Sequence, residues 1–292
     1  MLLNHSPRIR ASLGALFVLI GSISIQLSSV LSSTVFSTAG TIGTSGLRLT
    51  MAAVVLLAIA RPRIRGLSKK TWRGILLYGI AMAAMNVLLY NALERLPLGT
   101  AVTLEFLGPL AVACFGAKGR LERFLPLVTL LGVALVTNPG GSFDLLGICY
   151  ALGAAVAFAA YTLMAGQVGE SSEGIQGLAL SVSIGALLLT PFSIQAAPKL
   201  QVPDWLAVLA SGLLGVALAF TLDFLATKLT SPRIVGTLFA IDPMAAAITG
   251  ALTLRQSLPL QVVIGIFLVI ISGAVIIWRS GRTRTEGVPR PD

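Results

Sequence analysis

Four charged side chains lie inside stretches that are otherwise apolar: Arg48, Glu105, Asp223 and Asp242. A charge at the centre of a lipid-embedded helix costs at least ~2.5 kcal/mol, so such groups face a cavity or pair with one another. Arg48 lies six residues from one end of the apolar stretch 42–60, and Asn86 lies six from the end of 72–92. Glu105 lies five residues from the end of 100–116. If all three ends are on the outer side, a rise of 1.5 Å per residue puts the three groups about 8–9 Å below that boundary. A cation, an anion and an amide at one depth are what an amino-acid zwitterion needs. The Arg48 fork would bond both oxygens of a carboxylate, Glu105 would meet the ammonium group, and Asn86 would assist. The competing reading is an Arg48–Glu105 ion pair that only fixes helices. Tyr78, Tyr90, Phe106 and Tyr161 are candidate walls for such a cavity, and Tyr90 joins the candidate substrate-binding set. Asp242 lies ten residues into stretch 232–253, just before Pro243, and Pro109 holds the matching place after Glu105. Proline removes a backbone donor and permits a kink, so Pro109 and Pro243 mark expected helix kinks. Asp242 and Glu105 are the candidate proton carriers. Asp223 is expected near the cytoplasmic end of its span, in a structural role.

The elements that position these groups follow from composition. Of 292 residues, 55% are hydrophobic and 11% charged, against about 25% charged in an ordinary soluble domain. Mean hydropathy is +0.91. A soluble enzyme, a disordered chain and a coiled coil are excluded. A helical span takes roughly 20 apolar residues, and ten apolar stretches occur: 11–32, 42–60, 72–92, 100–116, 124–138, 145–166, 174–196, 205–225, 232–253 and 258–278. The fold class predicted is an all-α polytopic membrane protein with ten transmembrane helices. The net charge of +10 comes from basic residues between the stretches, which is a membrane-topology pattern and not a nucleic-acid footprint. With a cytoplasmic N-terminus, only Arg95, Lys199 and Arg255 of the loop cations fall outside, while Arg61, Arg63, Arg65, Lys69, Lys70, Lys118, Arg120, Arg123 and the tail arginines fall inside. Cytoplasmic loops carry this excess of Lys and Arg, so both termini are expected in the cytoplasm. Trp72, Trp205 and Trp278 all lie at stretch ends, as an interfacial belt would place them.

What is missing narrows the chemistry further. There is no G-x-x-x-x-G-K-[ST] phosphate loop and no H-E-x-x-H. The single histidine is His5, outside the spans, and Cys114 and Cys149 have no metal-binding spacing. No cofactor, no metal and no enzymatic activity are expected. Transport is the remaining class, with a non-transporting scaffold disfavoured because the loops are short.

The chain also repeats itself. Leu125-Pro126-Leu127 with Gly132 recurs as Leu258-Pro259-Leu260 with Gly265, and Thr103, Pro109, Ala111 and Ala113 recur as Thr237, Pro243, Ala245 and Ala247. Five spans per half is odd, so the second half would enter the membrane from the opposite side, as in the inverted repeats of secondary transporters. The halves expected are 1–138 and 145–278, followed by a basic tail at 279–292. The pairs Gly79–Ala83, Gly147–Ala151 and Gly215–Ala219, each four residues apart, read as helix-packing positions.

Two blocks carry a resemblance. Leu77-Tyr-Gly-Ile-Ala-Met-Ala-Ala-Met-Asn86 and Leu96-Pro-Leu-Gly-Thr-Ala-Val-Thr-Leu-Glu105-Phe-Leu-Gly-Pro109, with Ser45-Gly-Leu-Arg48-Leu, resemble the threonine/homoserine exporters of the EamA branch of the drug/metabolite transporter superfamily. The resemblance implies two inverted five-helix EamA repeats in a bacterial inner membrane. It also implies export of small amino acids against proton entry, with Arg48, Asn86 and Glu105 at matching positions. The second half departs from the pattern: Asp242-Pro243 stands where Glu-Pro is usual, and Leu254-Arg255-Gln256 replaces the usual Gly-Glu. Efflux of other metabolites or of hydrophobic or cationic drugs by the same fold is the alternative.

Overall fold

Apolar runs bounded by charged or proline-bearing turns form helices throughout the residues that the computed structural model describes, which are 7–114, 120–137, 144–171, 175–229 and 238–285. In chain order these are α1 (Pro7–Ser33), α2 (Phe36–Ala60), α3 (Lys69–Leu93), α4 (Leu98–Cys114), α5 (Arg120–Thr137), α6 (Leu145–Ser171) and α7 (Ile175–Ala196). Next, α8 (Val202–Gly212) passes through a π turn, Leu213–Leu218, directly into α9 (Ala219–Leu229). The chain closes with α10 (Asp242–Thr253) and α11 (Leu260–Thr285). Local chemistry sets several starts. Ser68 caps α3 by accepting from Thr71 N at 3.1 Å, and Asp204 reaches back to Gln201 N at 3.0 Å to start α8. Such caps satisfy amide donors that the first turn leaves free.

Six of these segments are long and apolar enough to cross a membrane: Ser12–Ser33, Phe36–Ala60, Lys69–Leu93, Leu145–Met164, Ile175–Lys199 and Val202–Asp223. Four shorter apolar helices accompany them: Leu98–Val112, Leu127–Val136, Phe239–Thr253 and Leu260–Val275. The molecule is therefore an all-helical, multi-pass membrane protein. Its outer surface carries leucine, isoleucine and valine, with Leu252 77%, Val156 72% and Leu187 70% exposed, which suits lipid contact and no aqueous one. The ninth apolar stretch is not uniform: Leu238 is α-helical, Phe239–Ile241 form a 3₁₀ turn, and α10 follows from Asp242 with Pro243 in its first turn. Pro243 thus sits just past a change of helix type, where its missing N–H is most easily accommodated. Residues 230–237 lie outside the described set. Pro109, by contrast, is inside α4, and its missing N–H leaves the Glu105 carbonyl without its usual donor four residues on.

The packing follows a reciprocal pattern. α3 packs on α6 as α1 packs on α8, the π turn and α9. α4 packs on α6 as α10 packs on α1. Three pairs, α2 with α7, α4 with α10 and α5 with α11, meet at the centre of the pattern. At the α5–α11 crossing the two glycines matched by the repeat face each other. A Cβ on Gly132 would stand 2.7 Å from Gly265 O, and one on Gly265 would stand 2.6 Å from Gly132 O. Only glycine permits this backbone approach from both sides.

A buried arginine site on α2 and α3

α2 and α3 bring Arg48, Asn86 and Tyr90 together. Arg48 Nη1 donates to Asn86 Oδ1 at 3.0 Å and to the Tyr90 hydroxyl. Asn86 is held in turn by its Nδ2, which donates to Met82 O at 2.9 Å one turn back. Tyr90 OH passes the chain on, donating to Ser32 Oγ of α1 at 2.6 Å. The Tyr90 ring packs against Phe36 with centroids 5.1 Å apart, and the guanidinium carbon lies 5.4 Å from the Tyr90 ring centroid. Arg48 and Asn86 are each 5% exposed, and Tyr90 is fully buried. A buried guanidinium needs its donors matched, yet Arg48 Nε has no hydrogen-bond partner. Its neighbour Nη2 lies against Gly215 of the π turn and Ser28 of α1. One edge of the fork is therefore fixed by α3, while the Nε edge is left open to a further acceptor.

Glu105 of α4 is also buried, 6% exposed, and its Oε1 has no hydrogen-bond partner. It lies close enough for electrostatic interaction with Arg48 and with Asp242, but the Arg48–Glu105 salt bridge is not formed. In place of the ion pair of the competing reading, the arginine is held by an amide and a phenol. Asp242, at the start of α10, has Ser22 of α1 as a neighbour and an Oδ1 without a hydrogen-bond partner. Asp223 of α9 is the last residue of the apolar span Val202–Asp223. It is partly buried, it reaches Gly21 of α1, it feels the charge of Asp242, and its own charge acts on Tyr78 and Tyr161. Tyr78 and Tyr161 stack at 4.7 Å with Phe158 and Phe220 around Tyr161. Phe106 is buried in another cluster, against Gly273.

The site has contributors that sequence reasoning missed. Ser24, Ser28 and Ser32 of α1 form a stripe at intervals of four. Ser24 Oγ donates to Leu214 O at 3.0 Å, Ser28 Oγ donates to Ser211 O at 2.8 Å, and Ser32 meets Tyr90. The signal was the spacing itself, since residues four apart share a helix face. The departure at Gln256 also has a use: its Oε1 accepts from Leu98 N at 3.0 Å and so caps α4 from the other half. Beside it lies a surface cavity of about 380 Å³ lined by Arg95, Pro97, Asp144, Gln256 and Pro259 among others. That cavity does not include the Arg48 cluster.

The sequence matches the EamA-like transporter family twice, over residues 12–137 and again over 145–278. The chain belongs to the EamA-like transporter family. Among relatives of this EamA protein, threonine/homoserine exporter RhtA of Escherichia coli (strain K12) is 31% identical over 276 residues, 92% of this chain and 90% of the relative. The RhtA of Salmonella typhimurium (strain LT2) is 32% identical over 248 residues, 83% of this chain and 84% of the relative. An uncharacterized transporter of Bacillus subtilis (strain 168), YvbV, is 24% identical over 265 residues, 84% and 85%. A solved crystal structure shares the fold of this EamA chain with a TM-score of 0.60 at 21% identity, covering 93% of this chain and 99% of the other.

Proposed function

We propose that this EamA transporter is a secondary exporter of small amino acids of the threonine and homoserine kind. The observation that carries the reading is the half-occupied Arg48 fork: Nη1 is bonded to Asn86 and Tyr90, and buried Nε has no partner. A substrate carboxylate fits that edge through charge-assisted hydrogen bonds. Glu105, with its own unpartnered oxygen, takes the ammonium end. Asn86 and Tyr90 act by aiming the guanidinium. The names of the RhtA relatives support this substrate class.

With α8, the π turn and α9 taken as one, the ten helices are read as two inverted five-helix repeats, 1–138 and 145–278, with the basic tail 279–292. The reciprocal packing and the mutual contact of Gly132 and Gly265 support that symmetry. The protein sits in the bacterial inner membrane with both termini cytoplasmic. It works by alternating access, the halves rocking about the Arg48 site. Export is coupled to proton entry through Asp242 or Glu105, whose carboxyl groups lie near each other at the junction of α4 and α10. Asp242 at the head of α10 resembles the broken-helix sites of other secondary transporters. Efflux of hydrophobic cations is the rival, and the Tyr78–Tyr161–Phe220 aromatic group near Asp223 favours it.

The full chain in proteoliposomes with an imposed pH gradient tests the reading. Labelled threonine or homoserine should move opposite to protons. No flux of either above protein-free vesicles would sink it.

A further inference from the structure

The guanidinium of Arg48 is closed on its Nη2 side by backbone from the second half of the chain. Gly215 lies inside the π turn Leu213–Leu218, where a Cβ would collide with Arg48 Nη2 and with Ser28 Oγ. Three residues earlier, a Cβ on Gly212 would stand 2.8 Å from Arg48 O. The backbone of α8 and of the π turn therefore comes up against Arg48 at both its carbonyl and its guanidinium. A π turn displaces side chains from α-helical register and often marks a functional position in a helix. Here it is pinned by α1: Ser28 holds Ser211 O, and Ser24 holds Leu214 O within the π turn. Ser32 of the same stripe holds Tyr90, the other contact of Arg48. The four-residue spacing of Gly215 and Ala219 first reads as simple helix packing, but the atom Gly215 admits is a guanidinium nitrogen.

We propose that Gly215 and its π turn are a positioning element for Arg48, setting the direction of the Nε–Nη2 edge and with it the affinity for a substrate carboxylate. This rests on the assignment of Arg48 to carboxylate binding. An α-helical Cβ-bearing residue at 215 pushes Nη2 away and turns the edge out of line. The two halves thereby share one binding group: the first supplies the arginine, the second its back wall. A rocking motion that slides α8 past α2 would then change the aim of Arg48 and release the carboxylate.

The test uses the full chain in proteoliposomes, with labelled L-threonine displaced by unlabelled L-threonine or by L-threoninamide. Gly215→Ala should weaken displacement by L-threonine about tenfold, the equivalent of one charge-assisted hydrogen bond, and leave the amide unchanged. Adding Ser28→Gly removes the Ser28 collision but not that with Arg48. Carboxylate affinity should not recover in the double variant; its return to the wild-type value would overturn the proposal. If Gly215→Ala does not accumulate, Ser28→Ala alone should narrow the acid-over-amide preference severalfold, and an unchanged preference would overturn it. Arg48→Gln is the control. Loss of the preference there, with Gly215→Ala at wild-type values, defeats only the positioning element. An unchanged preference in Arg48→Gln defeats the carboxylate assignment itself.

Discussion

Arg48 spends one nitrogen on two acceptors of α3, so the acceptors differ in what their loss would do. Asn86 Oδ1 and the Tyr90 hydroxyl both receive from Nη1, but only Tyr90 continues to Ser32 on α1. Tyr90→Phe keeps the ring against Phe36 and removes that link. The variant should fold normally and bind threonine about fivefold to tenfold more weakly, the worth of one buried hydrogen bond of about 1–1.4 kcal/mol. A binding isotherm on purified protein checks this, and wild-type affinity would contradict the aiming role. At this scale much was legible in the sequence: charged residues in apolar runs are conspicuous, and counting rise per residue put Arg48 and Asn86 at one depth, where they now bond. The salt-bridge alternative failed because depth says nothing about which face a side chain takes. The Ser24–Ser28–Ser32 stripe was overlooked because serine inside an apolar helix carries no charge to draw notice.

Helices that cross without side chains between them depend on glycine at one spot. α5 and α11 meet through Gly132 and Gly265, each too close to the other's carbonyl for a Cβ. Gly132→Leu should destabilise the fold by about 1–3 kcal/mol as overpacking, read as a lower thermal midpoint in detergent. The folded remainder should keep wild-type affinity, since α5 packs chiefly on α4 and α11 and not on the α2–α3 pair. A midpoint equal to wild type would contradict the close crossing. Helix existence was readable from hydropathy for nearly every segment. The change of helix type before Asp242-Pro243 was not, because an apolar run does not disclose a 3₁₀ turn. The π turn was equally hidden: its contacts, Arg48 and α1, are both more than 150 residues away in sequence.

For the whole molecule, proton coupling must be separated from charges at the surface. Asp144 at the head of α6 is held below the usual carboxylate range, first by the backbone N–H of Gly147 and then by Arg95, its 3.3 Å partner. A lowered carboxylate keeps its full contribution above its unfolded value near ~3.9 and loses it only as pH falls through the folded value. Asp144→Asn should therefore leave the shape of a transport profile between about pH 5 and 8 unchanged. A displaced profile would place the proton-sensitive step at this surface pair, away from Asp242 and Glu105. The central claim is narrower than coupling: a buried site on α2 and α3 binds the carboxylate of a small amino acid through Arg48. Counterflow in proteoliposomes without a pH gradient measures it most directly. Labelled homoserine should accumulate transiently against unlabelled threonine loaded inside, and threoninamide inside should not support it. Equal counterflow with the amide, or counterflow supported by hydrophobic cations and by neither amino acid, would contradict the account.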